Sequence, residues 1–238
     1  MKELQNLKKD LRIYQKKDKA KILQRFFKTG PGEYGEGDIF LGLKAEEIKT
    51  VVKKYQGFSL LNLKKLLASK IHEERTAAVI ILNYQFQKAD IKGKNKIYKF
   101  YLNNLSGINS WDLVDNSAHR IIGVYLSFSG ISREILYKLA RSGGLWKRRI
   151  AIMATYQFIR ERQFEETLKL AKILLNDKED LIHKAVGWML REVGKRDLEV
   201  EEEFLKKYYK KIPRTMLRYA IEKFPEKKRK QYLLKKHN

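Results

Sequence analysis

Hydrophobic residues recur at helical spacing along this chain, and the pattern restarts about every 35 residues. Apolar residues recur three and four positions apart, as in Leu4, Leu7, Leu11 and Tyr14, which is the spacing of one helix face. The same stripes occur in residues 44–55, 59–71, 74–87, 93–105, 111–127, 132–141, 145–160, 163–175, 180–193, 198–210, 214–224 and 226–236. Strict strand-type alternation is hard to find, and only three prolines interrupt the chain. The sequence therefore predicts an all-α fold.

Several of these helices carry small residues early, followed by bulky apolar ones, as in residues 77–80 (AAVI), 151–153 (AIM) and 185–188 (AVGW). They begin near residues 74, 111, 146, 181 and 214, so their starts lie 33 to 37 residues apart. Such a period with two helices in each repeat is typical of α-solenoids of the HEAT or TPR kind. The TPR pattern of Trp, Leu-Gly and Tyr is absent, so HEAT-like repeats fit better. We expect one domain over residues 1–238, a curved superhelix with a concave basic groove.

The charge balance indicates which partner such a groove would bind. The chain has 52 Lys and Arg against 28 Asp and Glu, a formal net charge of +24. A balance this far from zero favours a polyanion: DNA, RNA or an anionic membrane surface. Because 43% of the residues are hydrophobic, the chain is not a disordered basic tail. A further basic run covers residues 223–236, although such runs are as often only a solvated face.

The composition also excludes some classes of protein. Without cysteine, disulfide scaffolds, thiol nucleophiles and Cys-ligated zinc are ruled out. The N-terminal segment MKELQNLKKDL is charged throughout and lacks the apolar stretch of a secretory signal. The longest uncharged run, between Arg120 and Arg133, is shorter than the ~18 apolar residues of a membrane span. We expect a cytoplasmic protein that does not bind a membrane.

Two patterns that could indicate a cofactor or a metal lack the context that such sites need. Residues 30–35 (GPGEYG) match G-x-G-x-x-G, but an apparent helix precedes them and the acidic GEGD follows. A dinucleotide site needs a strand before the motif and a helix directly after it, so we predict a loop between helices. The histidines are isolated, without an H-E-x-x-H motif or an i, i+4 pair: His72, His119, His183 and His237. No cofactor and no metal site is predicted.

Aromatic, acidic and basic residues recur on one set of helices. Ser110 can cap a helix on which Trp111 and Asp115 lie one turn apart on the same face. Trp146 and Trp188 lie on the corresponding helices of later repeats. Taken one at a time, each Trp is explained by a core role, and Asp115 by a surface position. Together, in a basic solenoid, these residues suggest a nucleic-acid groove with chemistry in it.

The sequence resembles the AlkD-like DNA alkylation repair family, HEAT-repeat DNA glycosylases that excise alkylated, positively charged bases. The matching stretches are residues 110–115 (SWDLVD), 146–149 (WKRR) and 182–192 (IHKAVGWMLRE), and the repeat pattern extends the resemblance over most of the chain. The resemblance implies that Asp115 is the catalytic carboxylate and that Trp111 and Trp188 are the cleft aromatics.

The resemblance also implies the DNA contacts. The family pattern W-x-x-R selects Arg149, rather than Arg148, as the arginine on the DNA backbone. Arg148 and Lys147 beside it are further expected contacts. Phe26 stands where some family members have a Tyr in the N-terminal repeat, so this chain lacks a hydroxyl there.

The implied function is that of a monofunctional, monomeric glycosylase without a metal. It would hydrolyse the N-glycosidic bond of alkylated purines, of the 3-methyladenine and 7-methylguanine type, in duplex DNA. One alternative is a non-catalytic HEAT scaffold that binds nucleic acid or an acidic protein, which needs the basic surface but no carboxylate in the groove. A lyase reaction through a lysine Schiff base is a third, weaker alternative.

Overall fold

A computed structural model describes residues 2–128 and 130–234. Over these ranges the chain is mostly helical, and its only β-type pairing is an isolated bridge between Ile39 and Ile71. The all-α prediction is confirmed. Part of the predicted basic run, Lys235 and Lys236, lies outside the described residues, as does His237.

The chain packs as two units, residues 1–117 and residues 118–238. The single domain expected over residues 1–238 stays a prediction. The helices that begin in the first unit are α1 (Lys2–Ile13), α2 (Lys17–Phe26), α3 (Ala45–Val52), α4 (Leu60–Leu67), α5 (His72–Lys88), α6 (Ile91–Asn103) and α7 (Trp111–Ala118). Those that follow, after a π-helical turn at His119–Gly123, are α8 (Val124–Ser127), α9 (Glu134–Ala140), α10 (Leu145–Ala154), α11 (Tyr156–Arg160), α12 (Glu165–Ile173), α13 (Asp180–Gly194), α14 (Leu198–Tyr208), α15 (Arg214–Ala220) and α16 (Glu226–Leu234).

Helix α5 is the centre of the first unit, with α1, α3, α4 and α6 packed against it. Its middle is buried on all sides, which suits a helix surrounded by other helices. Its first turn is buried too, although it consists of four polar or charged residues: His72, Glu73, Glu74 and Arg75. Buried charges are stable only when they are paired, and each of the four has a partner. Glu74, for example, pairs with Lys8 of α1 at 2.8 Å.

Glu73 fixes the loop between α2 and α3 to the start of α5. Its carboxylate accepts hydrogen bonds from the backbone N–H groups of Leu41, Gly42 and Leu43 at 2.9, 2.8 and 3.2 Å. Three charge-assisted bonds to consecutive backbone groups hold the segment firmly. The segment before it, which leads from Asp38 to Phe40, is therefore held against α5.

The glycine-rich part of this loop connects two helices, as predicted. Glu33 accepts a hydrogen bond from the N–H of Gly30 at 2.8 Å, and Glu36 accepts one from the N–H of Gly32 at 3.0 Å. Gly32 has a φ of 74°, a left-handed conformation that favours glycine. The acidic side chains of the loop therefore occupy backbone donors that a bound phosphate would need.

In the second unit, helices α10, α13 and α15 recur with the predicted period. They start at residues 145, 180 and 214, within one residue of the expected 146, 181 and 214. Helix α13 packs most extensively against α15 and also contacts α10, α12 and α14. A Cβ atom on Gly187 would lie only 2.6 Å from the Cβ of Tyr219, so the α13–α15 contact depends on the missing side chain. The small residue in this helix thus allows the close approach that the sequence suggested.

Candidate active site

Trp111, the first residue of α7, belongs to an aromatic cluster in the first unit. Its indole stacks on Phe27, with ring centroids 5.1 Å apart and an angle of 7° between the planes. Phe26 meets the same indole edge-on at 5.9 Å. Phe27 is buried, Trp111 is half-buried and Phe26 is 62% exposed. The structure thus brings two of the predicted site residues, Phe26 and Trp111, together at the surface.

Asp115 lies one helical turn after Trp111 on α7 and is half-buried. Tyr101 of α6, which is fully buried, shares a hydrogen bond of 2.6 Å with Ser117 of α7. Burial raises the pKa of Tyr101, and the Asp115 carboxylate raises it as well, so the phenol stays neutral at physiological pH. Helix α7 therefore carries an aromatic ring and a carboxylate at i and i+4, and the carboxylate lies within electrostatic reach of a buried, uncharged phenol.

A buried histidine, which the sequence did not single out as functional, connects α7 to the rest of this unit. The Nε2 atom of His72 lies 2.8 Å from a carboxylate oxygen of Asp112, and its Nδ1 atom lies 3.2 Å from one of Asp38. Arg75, one turn later on α5, donates a hydrogen bond to the same oxygen of Asp38. The ring of His72 stacks on Phe40 at 4.5 Å. We call His72, Asp38, Arg75 and Asp112 the His72 network.

The electrostatics of the His72 network favour a protonated histidine. Burial lowers the pKa of His72, but hydrogen bonds to Asp112 and Asp38 outweigh burial and raise the pKa to about 8. Burial raises the pKa of Asp112, but the hydrogen bond and charge of His72 lower it overall. At pH 7 the network therefore contains two cations and two carboxylates.

Three basic residues on α10 in the second unit have different surroundings. Lys147 is exposed. Arg148 donates two hydrogen bonds to Asp177, at 2.6 and 3.2 Å. Arg149 is only 5% exposed and donates a hydrogen bond to the backbone carbonyl of Leu181, in the first turn of α13. Both arginines thus link α10 to the segment that leads into α13.

Trp188, on α13, is half-buried and its indole N–H donates a hydrogen bond to Glu192 one turn later. Burial raises the pKa of Glu192, but hydrogen bonds from Lys195, Arg196 and Trp188 outweigh it and lower the pKa. The Trp188 ring is therefore oriented by an ionised carboxylate of its own helix.

The second unit also contains a basic cleft, a cavity of about 740 Å³ between parts of α13, α15 and α16. Its lining includes Arg214, Arg218 and Arg229 together with the exposed ring of Tyr219. The cleft also holds two carboxylates, Asp180 and Glu222, which pair with a lysine of α13 at 2.7 Å and with an arginine of the same helix. The arginines therefore dominate the charge of the cleft.

The part of the chain that the structure describes contains no cluster of three or more His, Cys, Asp or Glu side chains suited to a metal ion. Among the described helices, none has the length and apolar character to cross a membrane.

Sequence reasoning missed the His72 network. A signal was present, since a charged run from His72 to Arg75 directly precedes a stretch that is apolar on every helical face. Such a helix is buried, and charges at its start need partners. The sequence did not indicate that the partners are Asp38 and Asp112, which lie 34 and 40 residues away.

Comparisons with known proteins identify the family. A sequence model described as "DNA alkylation repair enzyme" matches residues 7–224. Among solved structures, a predicted DNA alkylation repair enzyme from Enterococcus faecalis is similar, with a TM-score of 0.68 at 16% identity over 88% of this chain and 96% of that chain. At this identity the likeness shows a shared fold. Among curated proteins no match is found. The family match covers nearly the whole chain, and the chain therefore belongs to the DNA alkylation repair enzyme family.

Proposed function

We propose that the protein is a monofunctional DNA glycosylase that releases positively charged N-alkylated purines, of the 3-methyladenine and 7-methylguanine type, from duplex DNA. The observation that carries this proposal is the surface of α7, on which the half-buried Trp111 precedes the half-buried Asp115 by one turn. In a chain of the DNA alkylation repair family, an aromatic ring and a carboxylate at this spacing suit chemistry on a cationic sugar.

The proposed reaction exchanges one bond at the anomeric carbon of the deoxyribose. The bond from this carbon to the base nitrogen breaks and its electron pair leaves with the base, which becomes neutral because alkylation had made it cationic. A water molecule forms the new C–O bond and loses one proton. Since the leaving group is already activated, no general acid is needed. The remaining barrier is the positive charge that develops on the sugar.

Asp115 would lower this barrier. A fixed carboxylate stabilises an oxocarbenium-like sugar, and the stabilisation is larger where water is partly excluded. The half-buried position of Asp115 suits this role. The same carboxylate can accept a hydrogen bond from the attacking water and orient it.

The aromatic and basic residues would hold the substrate. We assign to Trp111 and Trp188 the contact with the sugar, because the faces of indole rings attract nearby positive charge. Lys147, which is exposed on α10, would bind a backbone phosphate, with Phe26 as a further contact. Arg149 and Arg148, the other basic residues expected there, already donate to the carbonyl of Leu181 and to Asp177, so a phosphate would bind them only as an additional partner. Phosphate contacts position the duplex without reading its sequence.

Base release from alkylated duplex DNA tests the proposal. Purified wild type, Asp115→Asn and the matched control Asp18→Asn, an exposed carboxylate of α2, are each incubated with methylated DNA, and free purine is quantified by chromatography. We expect release by wild type and the control, and a loss of roughly 100-fold or more in Asp115→Asn. No release by wild type, or equal release by all three proteins, would overturn the proposal. If borohydride traps a covalent complex with DNA, the reaction is instead that of a lyase.

A further inference from the structure

The His72 network is not used by the proposed reaction, yet it holds the helix that carries Trp111 and Asp115. His72 is 3% exposed, so its side chain is almost closed to solvent. Its two ring nitrogens face carboxylates on two different segments: Asp38, in the loop fixed by Glu73, and Asp112, the second residue of α7. A histidine in this position links the start of α7 to α5 and to the loop.

The geometry also defines which form of the histidine makes both links. A neutral imidazole has one N–H group, whereas the imidazolium has two. Both carboxylates accept hydrogen bonds, so only the imidazolium donates to Asp38 and Asp112 together. When the proton is lost, an Nε2–H tautomer keeps the bond to Asp112, but without the positive charge that strengthened it. Arg75, whose guanidinium lies 3.3 Å from Nδ1, can then donate to the ring.

The same histidine packs against two rings of the aromatic cluster to which Trp111 belongs. Its ring contacts Phe40 at 4.5 Å and Phe27 at 4.9 Å, and Phe27 is the ring on which Trp111 stacks. Asp112 follows Trp111 directly in the chain. His72 is therefore connected to Trp111 by two routes: through Asp112 and the backbone of α7, and through the stacked rings.

We propose that His72 is a positioning residue of the candidate active site, which holds Trp111 and the first turn of α7 through its simultaneous bonds to Asp38 and Asp112. Its effect on catalysis rests on the proposed glycosylase function, but its effect on Trp111 does not. The charged groups that face His72 are Asp38 from the loop, Asp112 from α7 and Arg75 from α5. None of them is a general acid or base of the reaction.

The first test reads the position of Trp111 directly. In full-length protein with Trp146→Phe and Trp188→Phe, Trp111 is the only remaining tryptophan. We expect its fluorescence emission to change with pH, with a midpoint near the pKa of about 8 of His72. The change should disappear in His72→Gln. Emission that stays constant from about pH 6 to 9.5, or that titrates equally in His72→Gln, would overturn the proposal.

The second test uses the otherwise unchanged protein and measures single-turnover base release and DNA affinity separately. His72→Gln and Asp112→Asn should lower the rate of release by roughly 10- to 100-fold, because small displacements of reacting groups have effects of this size. The DNA dissociation constant should change by less than about threefold. The control Tyr55→Phe removes another side-chain bond to a carboxylate of the same unit, 2.9 Å to Asp10, at a distance from α7 in sequence.

The outcomes separate the two proposals. If wild type releases base and the two network variants are slow at a folded fraction matched to Tyr55→Phe, His72 is a positioning residue. If they retain the wild-type rate, or if Tyr55→Phe is equally slow, it is not. If wild type releases no alkylated base at all, the proposed function fails, and the fluorescence titration alone decides whether His72 positions Trp111. If His72→Gln does not fold, two measurements still test the proposal. These are the fluorescence titration of Trp111 in protein that retains His72 and the rate of base release by Asp112→Asn.

Discussion

The first turn of α7 and the first turn of α10 both carry predicted site residues, but different kinds of side chain hold them. At α7, Asp112 is held by His72, a group whose charge changes near neutral pH. At α10, Arg148 binds Asp177 and Arg149 binds a backbone carbonyl. Arginine and carbonyl groups do not titrate between pH 5 and 9. The two helices are therefore anchored differently: the hold on α7 depends on pH near neutrality, whereas the hold on α10 does not.

The largest effect that we predict on stability concerns the ion pair between Arg148 and Asp177, which we call the α10 anchor. Asp177 has a side chain that is 5% exposed, and Arg148 neutralises it. Arg148→Met would leave a buried carboxylate without its cation, which typically costs about 3–5 kcal/mol. Urea unfolding should therefore show a large decrease in the free energy of unfolding. Lys147→Met, the exposed neighbour, should change it by about 0.5 kcal/mol or less. Equal effects of the two variants would mean that Arg148 is not an anchor.

The next largest effect is the pH dependence of stability that comes from the bond between His72 and Asp112, which we call the α7 anchor. The pKa of His72 is raised from 6.5 to about 8 in the folded protein, so its stabilisation is complete below about pH 6.5 and is lost as the pH rises through 8. A difference of this size corresponds to about 2 kcal/mol. The free energy of unfolding should fall by that amount between pH 6.5 and 9, and His72→Gln should remove this part of the slope. If the free energy of unfolding still falls over this pH range in His72→Gln, another group causes the pH dependence.

The opposite sign applies to Asp112. Its pKa is lowered, so its contribution is present above the unfolded value of 3.8 and is lost at more acidic pH. The His72–Asp112 pair is therefore most stabilising between about pH 4 and 6.5.

Much of the fold could be predicted from the sequence because helical spacing and the repeat period are local signals. The starts of α10, α13 and α15 agreed with the spacing to within one residue, and Gly187 has the packing role expected of a small residue. The position of Trp111 and Asp115 on one helix followed from their separation of four residues. Neighbours in a helix can be read from sequence alone.

The anchors could not be predicted, because their partners come from elsewhere in the chain. Asp38 lies in an irregular loop, and no periodicity relates it to His72. For Arg149, the pattern W-x-x-R identified the residue, but not its bond to the carbonyl of Leu181 or its burial. A pattern of residue types gives chemical capability, whereas burial and hydrogen bonding depend on tertiary packing.

A smaller effect is expected from the basic cleft of the second unit, whose arginines we expect to contact DNA. Within the described residues, Arg218 and Arg229 line the cleft and are exposed. If both contact phosphates, Arg218→Ala with Arg229→Ala should reduce the slope of log K against log salt by roughly 2 and weaken binding about tenfold. The control pair Lys64→Ala with Lys65→Ala removes two exposed charges from α4. Equal changes in the two pairs would show that only net charge matters, as expected of a non-catalytic basic scaffold.

The smallest effect is expected from substitution of Phe26. This substitution tests whether the contact between Phe26 and Trp111 helps His72 to hold Trp111 in position. The side chain is 62% exposed and touches the indole only edge-on at 5.9 Å, so Phe26→Ala should cost at most about 1 kcal/mol of stability. Base release should fall only a few-fold, far less than in His72→Gln, because the buried stack on Phe27 and the bond to Asp112 remain. Phe26→Tyr keeps the ring and should retain the wild-type rate. If Phe26→Ala instead slows release as much as His72→Gln, the exposed ring, rather than the buried network, determines the position of Trp111.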